Sequence, residues 1–193
     1  MKYDTKNCKI LQCTKCDISI NSNITNGYGD IHGGMVIIGE APGYYEDKHQ
    51  IPFVGDSGEL LNNLLFMIGI RRTRIYTTNV IKCRPDGNRA PSAKEVRNCL
   101  NYLKYELYIA KPKIVVLLGS IAIKTYFGSK VNIKHVRQRP ILYNNTIIYI
   151  LYHTIFILRN EDKTGLVKSY ENTFKNIGNA YKYFIDGTIS FNY

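Results

Sequence analysis

No apolar run in the chain reaches the roughly 18 residues that a membrane-spanning helix requires. The opening residues, MKYDTKNCKILQC, lack the unbroken apolar stretch of a secretion signal. An intracellular, cytoplasmic protein with no membrane contact is therefore expected, and its cysteines are read as metal ligands or free thiols rather than disulfides. Internal repeats and a long Gly/Ser/Pro linker are also missing. The 193 residues, 45% of them hydrophobic, thus read as one domain over 1–193 with a core of ordinary size. Acidic residues are scarce: 15 Asp and Glu stand against 26 Lys and Arg, a formal net charge of +11. Such an excess suits a polyanionic partner. The rival source of the charge is a bias toward Lys, Asn, Ile and Tyr, as an AT-rich coding sequence of bacterial, phage or viral origin would produce.

What is present is a regular alternation. Met35–Gly39, Ile114–Gly119 and Ile147–Tyr152 are short apolar runs of the kind that form buried parallel strands, and the β-branched stretch Arg74–Ile81 is a fourth. Between them, Ser57–Ile68 carries leucines at 3-4 spacing, and Ser92 to Glu95 has capping-box spacing ahead of Val96, Leu100 and Leu103. Ser120–Phe127 and roughly Lys163–Phe184 are further helices. The Tyr-rich C-terminal stretch Tyr181–Tyr193 fits a helix end and a disordered tail equally well, the tail starting at about 184. Strands alternating with helices predict an α/β fold with a four-stranded parallel sheet covered on both faces. The working residues of such sheets sit on loops at the carboxyl ends of the strands.

Cys13-x2-Cys16 places two sulfurs within reach of one ion or cluster, and Cys83 and Cys99 can complete four-sulfur ligation. Spacing does not separate zinc from iron. Cys99, on a helix, is also readable as a small buried core residue. Cys8 has no evident role and is taken as a free thiol.

Chemistry-bearing side chains gather after the strands. The first is followed by Gly39-Glu40-Ala41-Pro42-Gly43, Glu46-Asp47 and Ile51-Pro52-Phe53-Val54-Gly55. Glycines and a proline there allow backbone to approach a ligand closely, and Glu40 could position water or act as a base. Phe53 could stack on a flat base or anchor the loop in the core. After the second strand come Asn79, whose amide suits a nucleobase edge, and then Arg84 and Arg89. After the fourth come His153, Phe156, Leu158, Arg159 and Asn160. A lone strand-end histidine is commonly structural; this one shares a sheet edge with Glu40 and Asn79.

Together these pieces resemble the family 4 uracil-DNA glycosylases, the iron–sulfur branch of the uracil-DNA glycosylase superfamily. The matching segments are Cys13-x2-Cys16, GEAPG (39–43), Glu46-Asp47, PFVG (52–55) with SGELL (57–61), YTTNVIKCRP (76–85), NRAPS (88–92), Glu95, Cys99, KPKIVVLLG (111–119) and YHTIFILRN (152–160). The resemblance runs in order over about residues 8 to 180. It implies a three-layer α/β/α fold that excises uracil from single- or double-stranded DNA, acting as a monomer, with a structural 4Fe-4S cluster on Cys13, Cys16, Cys83 and Cys99. Glu40, Ala41 and Pro42 would line the uracil pocket, Phe53 would stack on the flipped base, Asn79 would read its edge, and His153 would face O2. The best-known branch of the superfamily has a catalytic aspartate where this chain has Ala41. Glu40 is then the first candidate for stabilising the sugar cation and orienting water, and Glu46 the second. Arg84, Arg89 and Arg159 would contact phosphates or pair with local carboxylates, and Phe156 and Leu158 are candidate wedges for the vacated stack.

The chain departs from that family in three places. His153-Thr154-Ile155 stands where His-Pro-Ser or His-Pro-Ala is usual, which predicts a looser loop. Arg137-Gln138-Arg139-Pro140 replaces an Arg-Gly, and Gln50 occupies a position often held by glycine. The competing readings are a catalytically weak relative that binds DNA or a replication partner, and an unrelated zinc-stapled α/β protein.

Overall fold

The computed structural model describes residues 2–4, 9–128, 140–160 and 162–187. Cys8, the Arg137-Gln138-Arg139 stretch and the chain beyond 187 lie outside the described residues. Eight strands are present among those described: β1 (Lys2–Asp4), β2 (Lys9–Gln12), β3 (Tyr28–Gly29), β4 (Met35–Gly39), β5 (Tyr76–Asn79), β6 (Ile114–Leu118), β7 (Ile141–Tyr143) and β8 (Thr146–Leu151). β1 and β2 form a small antiparallel pair. The other six make one sheet in the order β3-β5-β4-β6-β8-β7.

The four expected parallel strands are the four in its middle, β5-β4-β6-β8. The sheet as a whole is nevertheless six-stranded and mixed, because β3 and β7 add antiparallel edges. Neither edge has the apolar run that marks a central strand: Tyr28, Leu142 and Tyr143 are exposed. Chain order 2-1-3-4 across the parallel strands creates a switch point between β4 and β6, where open α/β sheets bind ligands.

Every residue of β4 and β6 is buried, as covering on both faces requires. Met35, Ile37, Val116 and Leu118 face α2 (Asp56–Met67) and the long C-terminal helix (Thr164–Tyr181), meeting Leu61, Leu65, Phe174 and Ile177. Val36, Ile38, Val115 and Leu117 face the opposite layer, built by α3 (Ala93–Ala110) and α4 (Ser120–Phe127) through Cys99, Leu103 and Ile123. The three-layer α/β/α arrangement is thus two cores separated by one sheet. Ser92 caps α3 as its spacing predicts: its hydroxyl accepts from Glu95 N, and the Glu95 carboxylate accepts from Ser92 N at 2.7 Å.

Two short helices complete the carboxyl edge, α1 (Tyr44–His49) after β4 and α5 (Thr154–Leu158) after β8; the C-terminal helix is α6. Gln50 ends α1 in the left-handed region at φ 56°, which accounts for a glycine preference at that position. The looser loop expected from Thr154 is instead a helical turn. Thr154 is its first residue and fully buried, at a position whose N–H has no partner within a helix and where proline is also accommodated; its buried hydroxyl has no hydrogen-bond partner. Beyond α6 the chain continues as a π-type turn, Lys182–Asp186. Among the described residues no helix is long and apolar enough to cross a membrane.

Candidate active site

A cleft of 480 Å³ opens at the carboxyl ends of the parallel strands. Its lining includes Glu40, Ala41, Pro42, Phe53, Asn79 and His153, so all six residues expected around a bound base come together. Glu46, Arg89 and Arg159 also reach it.

Two loops form one wall, and a single carboxylate joins them. Glu46 Oε2 accepts from Gly43 N at 3.1 Å, and Oε1 accepts from Val54 N and Gly55 N, each at 3.0 Å. Glu46 is buried, and both of its oxygens are committed to backbone. The residue expected as a second reacting carboxylate is therefore a clamp between the 39–43 and 52–55 loops. Backbone bonds from Val80 N to Gly39 O and Ile81 N to Glu40 O hold the same wall to the extension of β5.

Phe53 is held in the left-handed region, φ 56°, an uncommon conformation for a bulky residue. The neighbourhood that enforces it was not visible in the sequence. The Arg72 guanidinium donates to Phe53 O and lies against the rings of Tyr28 and Phe53, with its carbon 5.3 and 5.9 Å from their centroids. Gly58 leaves room on the other side, since a Cβ there would fall 1.9 Å from Phe53 O. Gly39 does the same at the base of the cleft, where a Cβ would lie 2.4 Å from Asn79 Oδ1 and 2.6 Å from Phe53 Cζ. The ring and the amide converge only because β4 ends in glycine.

His153 faces Phe53, with ring centroids 6.2 Å apart and planes inclined by 20°. It is the N-cap of α5: Nδ1 accepts the N–H of Ile155 at 3.4 Å. An accepting Nδ1 carries no proton, so the neutral ring bears its proton on Nε2. Burial lowers the pKa to about 4, against an opposing pull from the Glu46 carboxylate. At neutral pH His153 is thus an uncharged ring with a donor of defined position. Burial raises the pKa of Glu40.

The expected phosphate contacts separate into two kinds. Arg89 pairs with Glu95 through two hydrogen bonds of 2.7 and 2.9 Å, and this bonding holds the Glu95 carboxyl down at about 2. Arg84 donates to Asn88 Oδ1 at 2.7 Å and lays its guanidinium 5.2 Å from the Tyr44 ring centre. Arg159 is exposed at the rim. Of the expected wedges, Phe156 is exposed and stacked on Tyr152, centroids 4.4 Å apart, whereas Leu158 is half-buried. Ile155 lines the cleft instead of Leu158, because the segment is helical rather than extended.

The four cysteines meet in the layer between α3 and the sheet. Cys83 and Cys99 are buried, Cys13 and Cys16 half-buried, and all four are free. Burial pushes the Cys83 thiol up to about 12, and the other three sulfurs add to that shift. Donors are aimed at them: Asn98 Nδ2 to Cys16 Sγ at 3.3 Å and Tyr102 OH to Cys13 Sγ at 3.4 Å. Among the described residues no three Cys, His, Asp or Glu side chains form a cage for a single metal ion. Four thiols converging with donors to sulfur, and no carboxylate among them, suit a group held by thiolates. Lys82 lies between this corner and the cleft, 1% exposed. Its Nζ reaches Thr78 Oγ1 at 2.6 Å, Glu106 Oε2 at 2.7 Å and Asn79 O at 2.8 Å.

Residues 26–180 match the profile of the Uracil DNA glycosylase superfamily. A type-4 uracil-DNA glycosylase of Thermotoga maritima is 38% identical over 155 residues, 79% of this chain and 81% of the relative. One from Archaeoglobus fulgidus is 36% identical over 180 residues, 88% of each chain. One from Pyrobaculum aerophilum is 43% identical over 116 residues, covering 60% and 59%.

Keeping His153 neutral has a consequence for stability. Between pH 6.5 and about 4 the unfolded chain takes up a proton on this ring that the folded chain refuses. The contribution is complete above pH 6.5 and is lost as pH falls to about 4. Denaturant unfolding at pH 7 and pH 5 should show a smaller loss for His153→Gln than for the parent protein; equal losses would place the proton elsewhere.

Proposed function

The chain belongs to the uracil DNA glycosylase superfamily, alongside its type-4 members, and on that premise we propose that it hydrolyses the N-glycosidic bond of deoxyuridine in DNA, releasing uracil and leaving an abasic site. The observation that supports this most is the convergence of Phe53, Asn79 and a neutral His153 with its proton on Nε2.

A base within a duplex is unreachable, so the uridine must be rotated out at a cost of a few kcal/mol. Phe53 stacks on the extruded ring, and Asn79 pairs with its polar edge in a pattern that cytosine does not match. Rupture of N1–C1′ leaves negative charge on uracil and positive charge on the sugar. The Nε2–H of His153 donates to O2 as that charge develops, and a neutral donor keeps the leaving group an anion without transferring a proton to it. Glu40 orients water and stabilises the sugar cation, with Ala41 and Pro42 shaping the pocket around it. Glu46 acts at one remove, through the loop that carries Phe53. Arg84 and Arg159 contact phosphates, Arg89 orders the rim through Glu95, and Phe156 with Ile155 fills the vacated stack, Leu158 supporting them from behind.

Cys13, Cys16, Cys83 and Cys99 would hold a 4Fe-4S cluster, which supplies no step of the hydrolysis and ties the N-terminal segment to α3 and the 84–89 loop. Thiolate ligation by residues on three separate segments is a cross-link of the folded state.

Two experiments test this reading. A uracil-containing oligonucleotide should yield free uracil and alkali-labile sites, and His153→Ala should lower kcat by about a hundredfold or more with DNA affinity retained. No uracil at stoichiometric protein would overturn the proposal, and lost affinity with unchanged turnover would overturn the role of His153. The protein should be brown, and Cys83→Ser should lose the iron–sulfur absorbance and melt at lower temperature. A colourless protein carrying zinc would contradict the cluster.

A further inference from the structure

Two large aromatic side chains stand where the core has no use for them. Tyr44 and Tyr45 open α1, directly after the loop that carries Glu40. They are 54% and 52% exposed, yet both line the cleft. Their rings meet edge to face at 5.3 Å. Arg84, from the loop after β5, lies against Tyr44 and is steadied by Asn88. Among the described residues no carboxylate pairs with Arg84. An aromatic pair backed by a guanidinium, continuous with the cleft that holds Phe53 and Asn79, has the chemistry of a surface on which an unpaired base stacks.

We propose that Tyr44 and Tyr45, with Arg84 against them, form a stacking subsite for the unpaired nucleobase next to the flipped uridine, so that the protein takes single-stranded DNA in preference to duplex. The proposal rests on the uracil-excision reading and adds the substrate form to it. A neighbouring base in a duplex is already stacked and paired, and gains little from a second platform. In a single strand it is available, and every base has a face to offer. The subsite is therefore tolerant of sequence. It also follows directly on Gly43, one of the donors to Glu46, and shares one cleft with Phe53 and His153.

Steady-state kinetics on single-stranded and duplex uracil oligonucleotides test this with the full chain. The double substitution Tyr44→Ala with Tyr45→Ala should raise KM on single strands about tenfold, with kcat within about twofold and with a much smaller change on duplex. Tyr44→Phe with Tyr45→Phe should behave like the parent, since stacking needs the ring and not the hydroxyl. A second measurement does not depend on turnover. Single strands carrying 2′-fluoro-2′-deoxyuridine, which resists cleavage, with 2-aminopurine on its 5′ or 3′ side, should lose fluorescence on binding the parent and not on binding the alanine variant. Quenching on either side supports the subsite and gives its polarity. Unchanged KM and quenching in the alanine variant, equal KM changes on both substrates, or phenylalanine variants as impaired as alanine would each overturn it. If the parent released no uracil, the glycosylase reading would fail, and the fluorescence arm would still decide whether the base stacks here.

Discussion

Three backbone N–H groups converge on the carboxylate of Glu46, and the cleft depends on that convergence. Gly43 belongs to the loop that carries Glu40, while Val54 and Gly55 belong to the loop that carries Phe53. Without the carboxylate, each donor would need another partner or bear a desolvation cost of about 1–3 kcal/mol. The clamp also fixes where the strained Phe53 backbone sits, and Arg72 completes the restraint from the opposite side through Phe53 O. A ring held by its backbone on both sides is a rigid surface, and rigidity is what a stacking platform for an extruded base requires.

The extension of β5 connects the two specialised corners of the molecule. Asn79 ends the strand, Lys82 turns inward beneath it, and Cys83 follows at the sulfur corner. A buried lysine is expensive unless fully satisfied. Here Glu106 neutralises it, while Thr78 and the Asn79 carbonyl take its remaining protons. Glu106 in turn accepts from the Tyr76 and Thr78 hydroxyls, so the network closes on itself. The amide proposed to read a base edge and the thiols proposed to hold a cluster thus share one polar anchor in the α3 layer. A cluster at that corner, remote from the reacting bond, would act by keeping the short segment in register.

The sequence showed what periodicity and spacing encode. The central strands announced themselves as apolar runs, α3 by its capping box, the sulfur corner by Cys13-x2-Cys16, and the strand-end rule brought Glu40, Asn79 and His153 to one edge. The rest was hidden because its residues look like surface. β3 has two residues and β7 three, too short and too exposed for a pattern. Arg72 sits in Arg71-Arg72-Thr73-Arg74 and Lys82 beside Arg84, both indistinguishable from a solvated basic stretch until the sheet buries them. Glu46 was opaque for the opposite reason: a carboxylate near a reacting site invites a chemical role, and its three backbone partners, which only the fold brings to it, favour a mechanical one. Thr154 misled because proline's absence was read as freedom, when the local helix and burial supply the restraint.

At the centre of this account is an uncharged His153 that presents Nε2–H to the cleft before any substrate arrives. Its imidazole nitrogen resonances, followed by NMR in the free protein, test that directly. The ring should be neutral, with the proton on Nε2, from pH 8 down to about 4, where burial finally yields. Titration near the ordinary 6.5, or a proton on Nδ1 at neutral pH, would contradict it.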